Sequence, residues 1–277
     1  MTPVATLQVP SAPPDIMPDT LSDAALCVLM EPSPAEKVRL TRIFAARWRD
    51  KAFSAIGHAT PPDHPARPEK PTLLSPRDMP KRSKGGGAGR AAFVHAIAHI
   101  ECNAIDLAWD MALRFTHEDL PEAFYDDWVG VALDEAEHFH MLNQRLVELG
   151  VAYGDLPAHD GLWQAALDTR DDLLARLAVV PMTLEARGLD TAPGAARDLR
   201  RLGDFETAEI LEIIFREEVP HVAAGVRWFE HICRIREDDP IATFRHLLET
   251  RYKGTLKPPF NEGLRSAAGM DRAYYCE

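Results

Sequence analysis

The sequence predicts an all-α protein built on a four-helix bundle, and three observations predict it. Long stretches place apolar residues at i, i+3, i+4 and i+7, which is the spacing of one helix face. Runs with the period-2 alternation of a strand are nearly absent. A pattern of acidic residues and histidine occurs twice. Glu101 is followed 34 residues later by Glu135-Ala136-Glu137-His138, and Glu185 is followed 33 residues later by Glu218-Val219-Pro220-His221. One Glu from each of two helices, with Glu-x-x-His from each of two others, is the ligand set of a carboxylate-bridged two-metal site in a helical bundle.

A chain of 277 residues at 46% hydrophobic content can bury a full core. It divides into residues 1–90 (an arm, two short helices and a connector), a bundle over 91–236, and a C-terminal helix and tail over 237–277. Residues 1–20 are rich in Pro and small residues and read as a loose arm. Two short helices follow over 21–30 and 34–52, separated by Pro32-Ser33-Pro34, with Asp23 and Ser33 as candidate caps. Residues 57–90 are rich in proline and contain Gly85-Gly86-Gly87. So long a connector is expected to wrap over the bundle and not to hang free. Its end, Lys81 to Arg90, is basic and offers an anion a place at the following helix N-terminus, but it lacks the residue order of a P-loop. Four long helices are expected at about 90–116, 121–150, 160–188 and 197–236. A last helix near 240–252 precedes a tail with Lys257-Pro258-Pro259-Phe260-Asn261.

The direction in which the acidic residues face carries the functional argument. In the second long helix the apolar stripe is Phe124, Trp128, Val131, then Leu142, Leu146 and Leu149. Glu135 and His138 occupy the middle of that stripe. In the fourth, Glu218 and His221 fill the gap between Leu211, Ile214, Phe215 and Val222, Gly225, Phe229, Ile232. Glu101 interrupts Val94, Ile97, Ala104, Ala108, Met111 and Phe115, and Glu185 stands between Leu174, Ala178 and Gly188. Four buried carboxylates need compensation, and two cations supply it. Mixed carboxylate and imidazole donors suit iron or manganese better than a thiolate zinc site. Arg187 and Asp190, just beyond Glu185, are candidates for orienting the ligands from behind.

Other features weigh less. His95 and His99 are four apart, but Ala96 stands where a zinc protease needs Glu, and His99 lies about 200° around the helix from Glu101. Packing roles are expected for both. Pro181 and Pro220 fall beside the ligand positions, where a proline disturbs the helix, by local unwinding, a π-bulge or a break. The four cysteines form no C-x-x-C pair. The formal charge of −12 disfavours nucleic acid as a partner. No run is apolar enough to span a membrane and no secretory signal is visible, so a cytoplasmic location is the expectation.

The strings AHIECNAIDLAWD, PMTLEARGLD, EEVPHVAAG and PRDMPKRS resemble an uncharacterised bacterial family, domain-of-unknown-function family 455, within the ferritin-like superfamily. The resemblance covers about residues 20–270. It implies a ferritin-like four-helix bundle with extra N-terminal and C-terminal helices and a di-metal centre held by Glu101, Glu135, His138, Glu185, Glu218 and His221. The superfamily includes ferritins, manganese catalases and di-iron oxygenases. The expected cofactor is two iron ions, with manganese or a mixed pair as alternatives. The leading expectation is an O2-dependent oxidoreductase acting on a small organic substrate, with an unidentified electron donor. Ferroxidase or storage activity, a manganese catalase-like reaction and a purely structural metal bundle are the alternatives. The helices flanking the bundle count against a storage cage, and homodimerisation is the base-rate expectation.

Overall fold

Helix formation starts at Thr20, whose Oγ1 accepts the Asp23 N–H and caps α1 (Leu21–Leu29). Ser33 caps α2 (Pro34–Arg49), with Pro34 in the first turn, where no N–H is required. This computed structural model describes residues 17–75, 78–79 and 86–276. Most of the expected N-terminal arm, and Lys81 to Gly85 of the basic run, lie outside those residues. The chain continues through α3 (Gly87–Arg114), α4 (Glu122–Glu148), α5 (Gly161–Asp168) and α6 (Leu173–Val179). A π turn (Val180–Glu185) leads into α7 (Ala186–Arg201). Then come α8 (Phe205–Arg236), α9 (Pro240–Arg251), α10 (Glu262–Ala267) and a 3-10 turn (Arg272–Tyr274). The protein is all-helical. The described residues form no strand, only the isolated bridges Thr20–Ala55 and Leu73–Ala158.

Four rods make the centre: α3, α4, α8, and α6 joined to α7 through the π turn. The short links at 115–121 and 202–204 set α3 against α4, and α7 against α8, as antiparallel neighbours. The α4–α8 contacts run in opposite chain order, from Asp127–Trp228 through Asp134–His221 and His138–Glu217 to Arg145–Asp204. That pair is therefore antiparallel too. It follows that α4 and α7 run the same way, and the connection carrying α5 crosses the length of the bundle. α3 and α7 complete the ring, and a cavity lies between them.

Buried ion pairs fasten the outer elements. α1 packs on α3, and α2 on α4. Lys37 is buried and donates to the carbonyls of Val28 and Leu29, ending α1, and to Asp106 at 2.5 Å. Arg67, from the connector, holds the other oxygen of Asp106 at 2.7 Å and Asn103 at 2.6 Å. Ala66 N–H bonds to Leu29 O, Arg114 to Pro62 O and Trp163 Nε1 to Asp63 O. Residues 57–75 thus lie over α1, α3 and α5, as a long ordered connector should.

The third and fourth bundle helices differ from their expected bounds. The expected 160–188 helix is divided at 169–172 and reopens at Asp172, whose carboxylate caps α6. The helix expected to end at 188 runs on to Arg201, with Pro193 inside α7. Pro193 has no N–H for the Leu189 carbonyl, and Asn261 Nδ2 donates to that carbonyl instead, at 3.3 Å. The actual turn is at Gly203, with φ +78°, followed by Asp204, which caps α8.

Candidate metal centre

The centre is assembled from the middle of each rod. α3 brings Glu101, α4 brings Glu135 and His138, the last residue of the π turn is Glu185, and α8 brings Glu218 and His221. All but Glu185 are buried; Glu185 is half-buried, with its Oε2 shut off from solvent. Glu101, Glu135, His138 and Glu218 each place a ligand atom within 4.8 Å of the others. Glu135 faces both histidines. Its Oε2 lies 3.2 Å from His138 Nδ1 and its Oε1 lies 3.2 Å from His221 Nδ1. Glu101 Oε2 flanks His138 Nδ1 at 3.5 Å, and Glu218 Oε2 flanks His221 Nδ1 at 3.6 Å.

The two prolines behave differently. At Pro181 the helix widens into the π turn. Ala186 N–H reaches back five residues to Pro181 O, and Thr183 Oγ1 donates to Ala178 O at 2.8 Å. Gly225 on α8 makes room for this turn, since a Cβ there would stand 2.6 Å from Pro181 Cβ. Pro220 produces no such change, and α8 stays α-helical around it. It sits on the exposed side of the helix.

The electrostatics are those of a site short of positive charge. Burial, then the neighbouring Glu135, raises the Glu101 carboxyl well above its ordinary range. Burial, then Glu218 and Glu135, does the same to Glu185. Burial followed by Glu135 raises Glu218. Glu135 goes the other way: burial pushes it up, but the imidazoles of His138 and His221, each 3.2 Å from one of its oxygens, outweigh that and hold it low. Burial disfavours the charged form of His138, yet Glu101 and Glu135 raise its pKa to about 11. His221 is raised well above the usual range, because Asp134, Glu135 and Glu218 overcome its burial.

Glu135 Oε1, Glu185 Oε2, Glu218 Oε2 and His221 Nδ1 are buried without any hydrogen-bond partner. His221 Nδ1 is close to two of these oxygens but aligned with neither for a hydrogen bond. Buried atoms left this way carry a cost of about 1–3 kcal/mol each, more when charged. Their convergence on common points fits cations in that space. Four carboxylates and two neutral imidazoles also match the charge of two divalent ions.

Two residues absent from the sequence reading support the histidines. Glu217 Oε2 lies 2.8 Å from His138 Nε2, and Asp134 Oδ2 lies 3.1 Å from His221 Nε2. Each precedes the Glu of one Glu-x-x-His and reaches the histidine of the other. The signal was an acidic residue directly before each motif. A carboxylate on Nε2 keeps the proton there and leaves Nδ1 as a ligand.

Arg187 and Asp190 take other roles than orienting ligands. Asp190 is held by Arg265 at 2.8 and 2.9 Å and by the Asn261 N–H at 2.8 Å. Arg187 Nη1 donates to Lys257 O at 2.7 Å and Pro259 O at 3.1 Å. Neither residue bonds to any of the six. Both anchor the tail, and Arg187 also lines the cavity beside the centre. His95 and His99 also stay outside the centre. His95 Nε2 accepts the Gly154 N–H, and His99 Nδ1 meets Tyr153 Oη at 2.9 Å.

A cavity of about 460 Å³ opens beside the centre. Glu101, Glu135, Glu185 and Glu218 form its inner end. Its walls are apolar, with Phe93 and Ile97 from α3, Leu162 from α5, Leu184 from the π turn, and Leu211 and Ile214 from α8.

The chain matches, over residues 30–276, a family described as protein of unknown function (DUF455). The chain belongs to this family. A relative in Haemophilus influenzae, described as an uncharacterized protein, is 43% identical over 210 residues, covering 74% of this chain and 73% of its own length. No solved structure matches the chain. Family membership names no activity.

Proposed function

We propose that this protein is a di-metal carboxylate oxidoreductase of the ferritin-like type, using O2 and two iron ions to oxidise a small organic substrate. The single crossover between α4 and α7, with an inward Glu or Glu-x-x-His on each rod, supports the ferritin-like reading. The observation that carries the oxidoreductase reading is the cavity. A path for iron toward a storage site would favour carboxylates along its length. Here carboxylates occupy only the inner end, and the walls are hydrocarbon.

Glu101, Glu135 and His138, with Glu185, Glu218 and His221, would hold the two ions. A pair of ferrous ions would supply the electrons with which O2 is activated. The protein does the rest. Glu217 and Asp134 fix the two imidazoles, and the apolar walls keep bulk water from the reacting end while orienting the substrate. Manganese in the same ligands is the alternative cofactor.

The test is to load the protein anaerobically with ferrous iron, count bound iron, mix with O2 and follow the near-ultraviolet and visible spectrum. About two irons per chain and a transient absorbance that decays faster with an organic molecule are expected. Iron oxidation that continues into a growing mineral would point to storage. Peroxide decay with manganese bound would point to a catalase-like reaction.

A further inference from the structure

The cavity has two unlike ends. Glu101 and Glu135 lie deep, at 4% and 0% exposure. At the mouth, Ile100 is 44% exposed although it lines the cavity, and the Arg187 side chain is 41% exposed. Arg187 is the one basic residue of the lining. Among the described residues all of its hydrogen bonds leave through Nη1, toward the tail carbonyls and, at 3.3 Å, Asp190. Asp190 is itself paired through both oxygens with the buried Arg265. Two guanidinium groups therefore share one carboxylate, and a positive charge is left over at the mouth.

The space between is kept open by small residues. Ala96, Ala104, Gly188 and Ala192 line it, and a Cβ added to Gly188 would meet nothing within 4 Å. Gly188 has an ordinary helical backbone, so its small size serves space and not a turn.

We propose that the substrate is an amphipathic anion: an apolar body filling the cavity with its far end toward Glu101 and Glu135, and an acidic head held at the mouth by Arg187. This rests on the oxidoreductase reading for what happens at the inner end, but not for binding. Arg187 attracts an acidic head at the mouth, the carboxylates of the deep end offer that head no donor, and hydrocarbon walls gain from an apolar body, so the molecule has one favourable orientation. Oxidation then falls on the carbon remote from the acid.

Straight-chain probes test this by calorimetry on protein of known metal content. Hexanoate, octanoate and decanoate are compared, then decan-1-ol and decylamine against decanoate. Affinity is expected to rise about fourfold per added methylene until the cavity is full. Decanoate should bind about tenfold or more tightly than decan-1-ol, the gain of one charge-assisted hydrogen bond. With the centre metal-loaded and its carboxylates neutralised, decylamine should bind more weakly than either, because Arg187 repels its head. Arg187→Gln should weaken decanoate about tenfold and leave decan-1-ol within twofold. Gly188→Leu should abolish binding of both with metal content unchanged. The head-group comparison uses wild type alone, so it stands if a variant disturbs the tail. Equal affinity for decanoate and decan-1-ol, no dependence on chain length, or no saturable binding overturns the proposal. So does decanoate binding that ignores Arg187→Gln and vanishes on metal removal, because the acid would then be at the metal end. Loss of the oxidoreductase reading shows separately, as absent iron or no reaction with O2 while the probes still bind.

Discussion

His138 and His221 each touch carboxylates at both ring nitrogens, and this two-sided contact is what a residue-scale account of the centre rests on. Glu217 and Asp134 are each about half exposed, so replacing them leaves the core intact. Glu217→Gln and Asp134→Asn are expected to lower metal affinity about 10–100-fold each while far-ultraviolet circular dichroism stays at the wild-type level. Competition with a chromophoric chelator measures this, and unchanged affinity in both variants would remove their supporting role. Asp190 has the opposite profile. It is fully buried and faces Arg265, which is also buried. Asp190→Ala is expected to destabilise the protein by about 3–5 kcal/mol in denaturant unfolding, because it strands a buried guanidinium. A loss below about 1 kcal/mol would show that the tail is not held through this pair.

At the scale of elements, α8 depends on its first turn. Asp204 accepts from the Thr207 N–H at 3.1 Å and from Arg145 at 2.9 Å. Burial raises its carboxyl, but the Thr207 and Arg145 bonds outweigh that and set it below its ordinary value of 3.8. A depressed folded-state value means that this stabilisation is present above pH 3.8 and lost as the pH falls through the folded value. Asp204→Asn is expected to cost about 1 kcal/mol at pH 7, and the gap to wild type should close as the pH falls through the depressed folded value. A gap that persists undiminished in acid would show that the cost is steric. The π turn gives a second element-scale case. Gly225→Ala would press a methyl against Pro181 and should cost about 1–3 kcal/mol, whereas Gly188→Ala meets open space and should not destabilise. Thermal melts of the two variants side by side decide this.

The long periodic elements were legible in the sequence because a 3.6-residue apolar stripe is a local property. The same stripes drew attention to Glu135, His138, Glu218 and His221, which lie on the buried faces where core residues belong. What failed to show was non-local. The helix expected to end at 188 runs on through Pro193, where the tail supplies Asn261 to the orphaned Leu189 carbonyl. Arg187 and Asp190 read as partners of the ligands, but their hydrogen bonds go to the tail, which no local pattern predicts. Asp134 and Glu217 were overlooked because each serves the histidine of the opposite helix, a pairing that exists only once α4 and α8 are antiparallel.

At the scale of the whole molecule, the buried Glu101, Glu135 and Glu218 need a reason to exist. The bundle buries carboxylates from all four rods around one point, and its remaining burial has to outweigh their repulsion whenever no cation is present. Glu101 shows this most directly. Burial first, and then Glu135, disfavour its ionised form, so the metal-free protein at neutral pH carries a cost that a neutral isostere removes. Glu101→Gln is therefore expected to melt higher than wild type in the presence of chelator, by about 2–4 °C for each kcal/mol relieved. With metal supplied the order should reverse. Wild type gains more from binding, because ligand affinity for the native state adds directly to stability. A crossing of the two melting temperatures between chelated and metal-loaded samples is the signature of carboxylates gathered to hold cations. Equal midpoints without metal would mean that Glu101 is not strained by its surroundings. A wild type that melts lower with metal than without it would mean that the cluster serves some end other than binding metal.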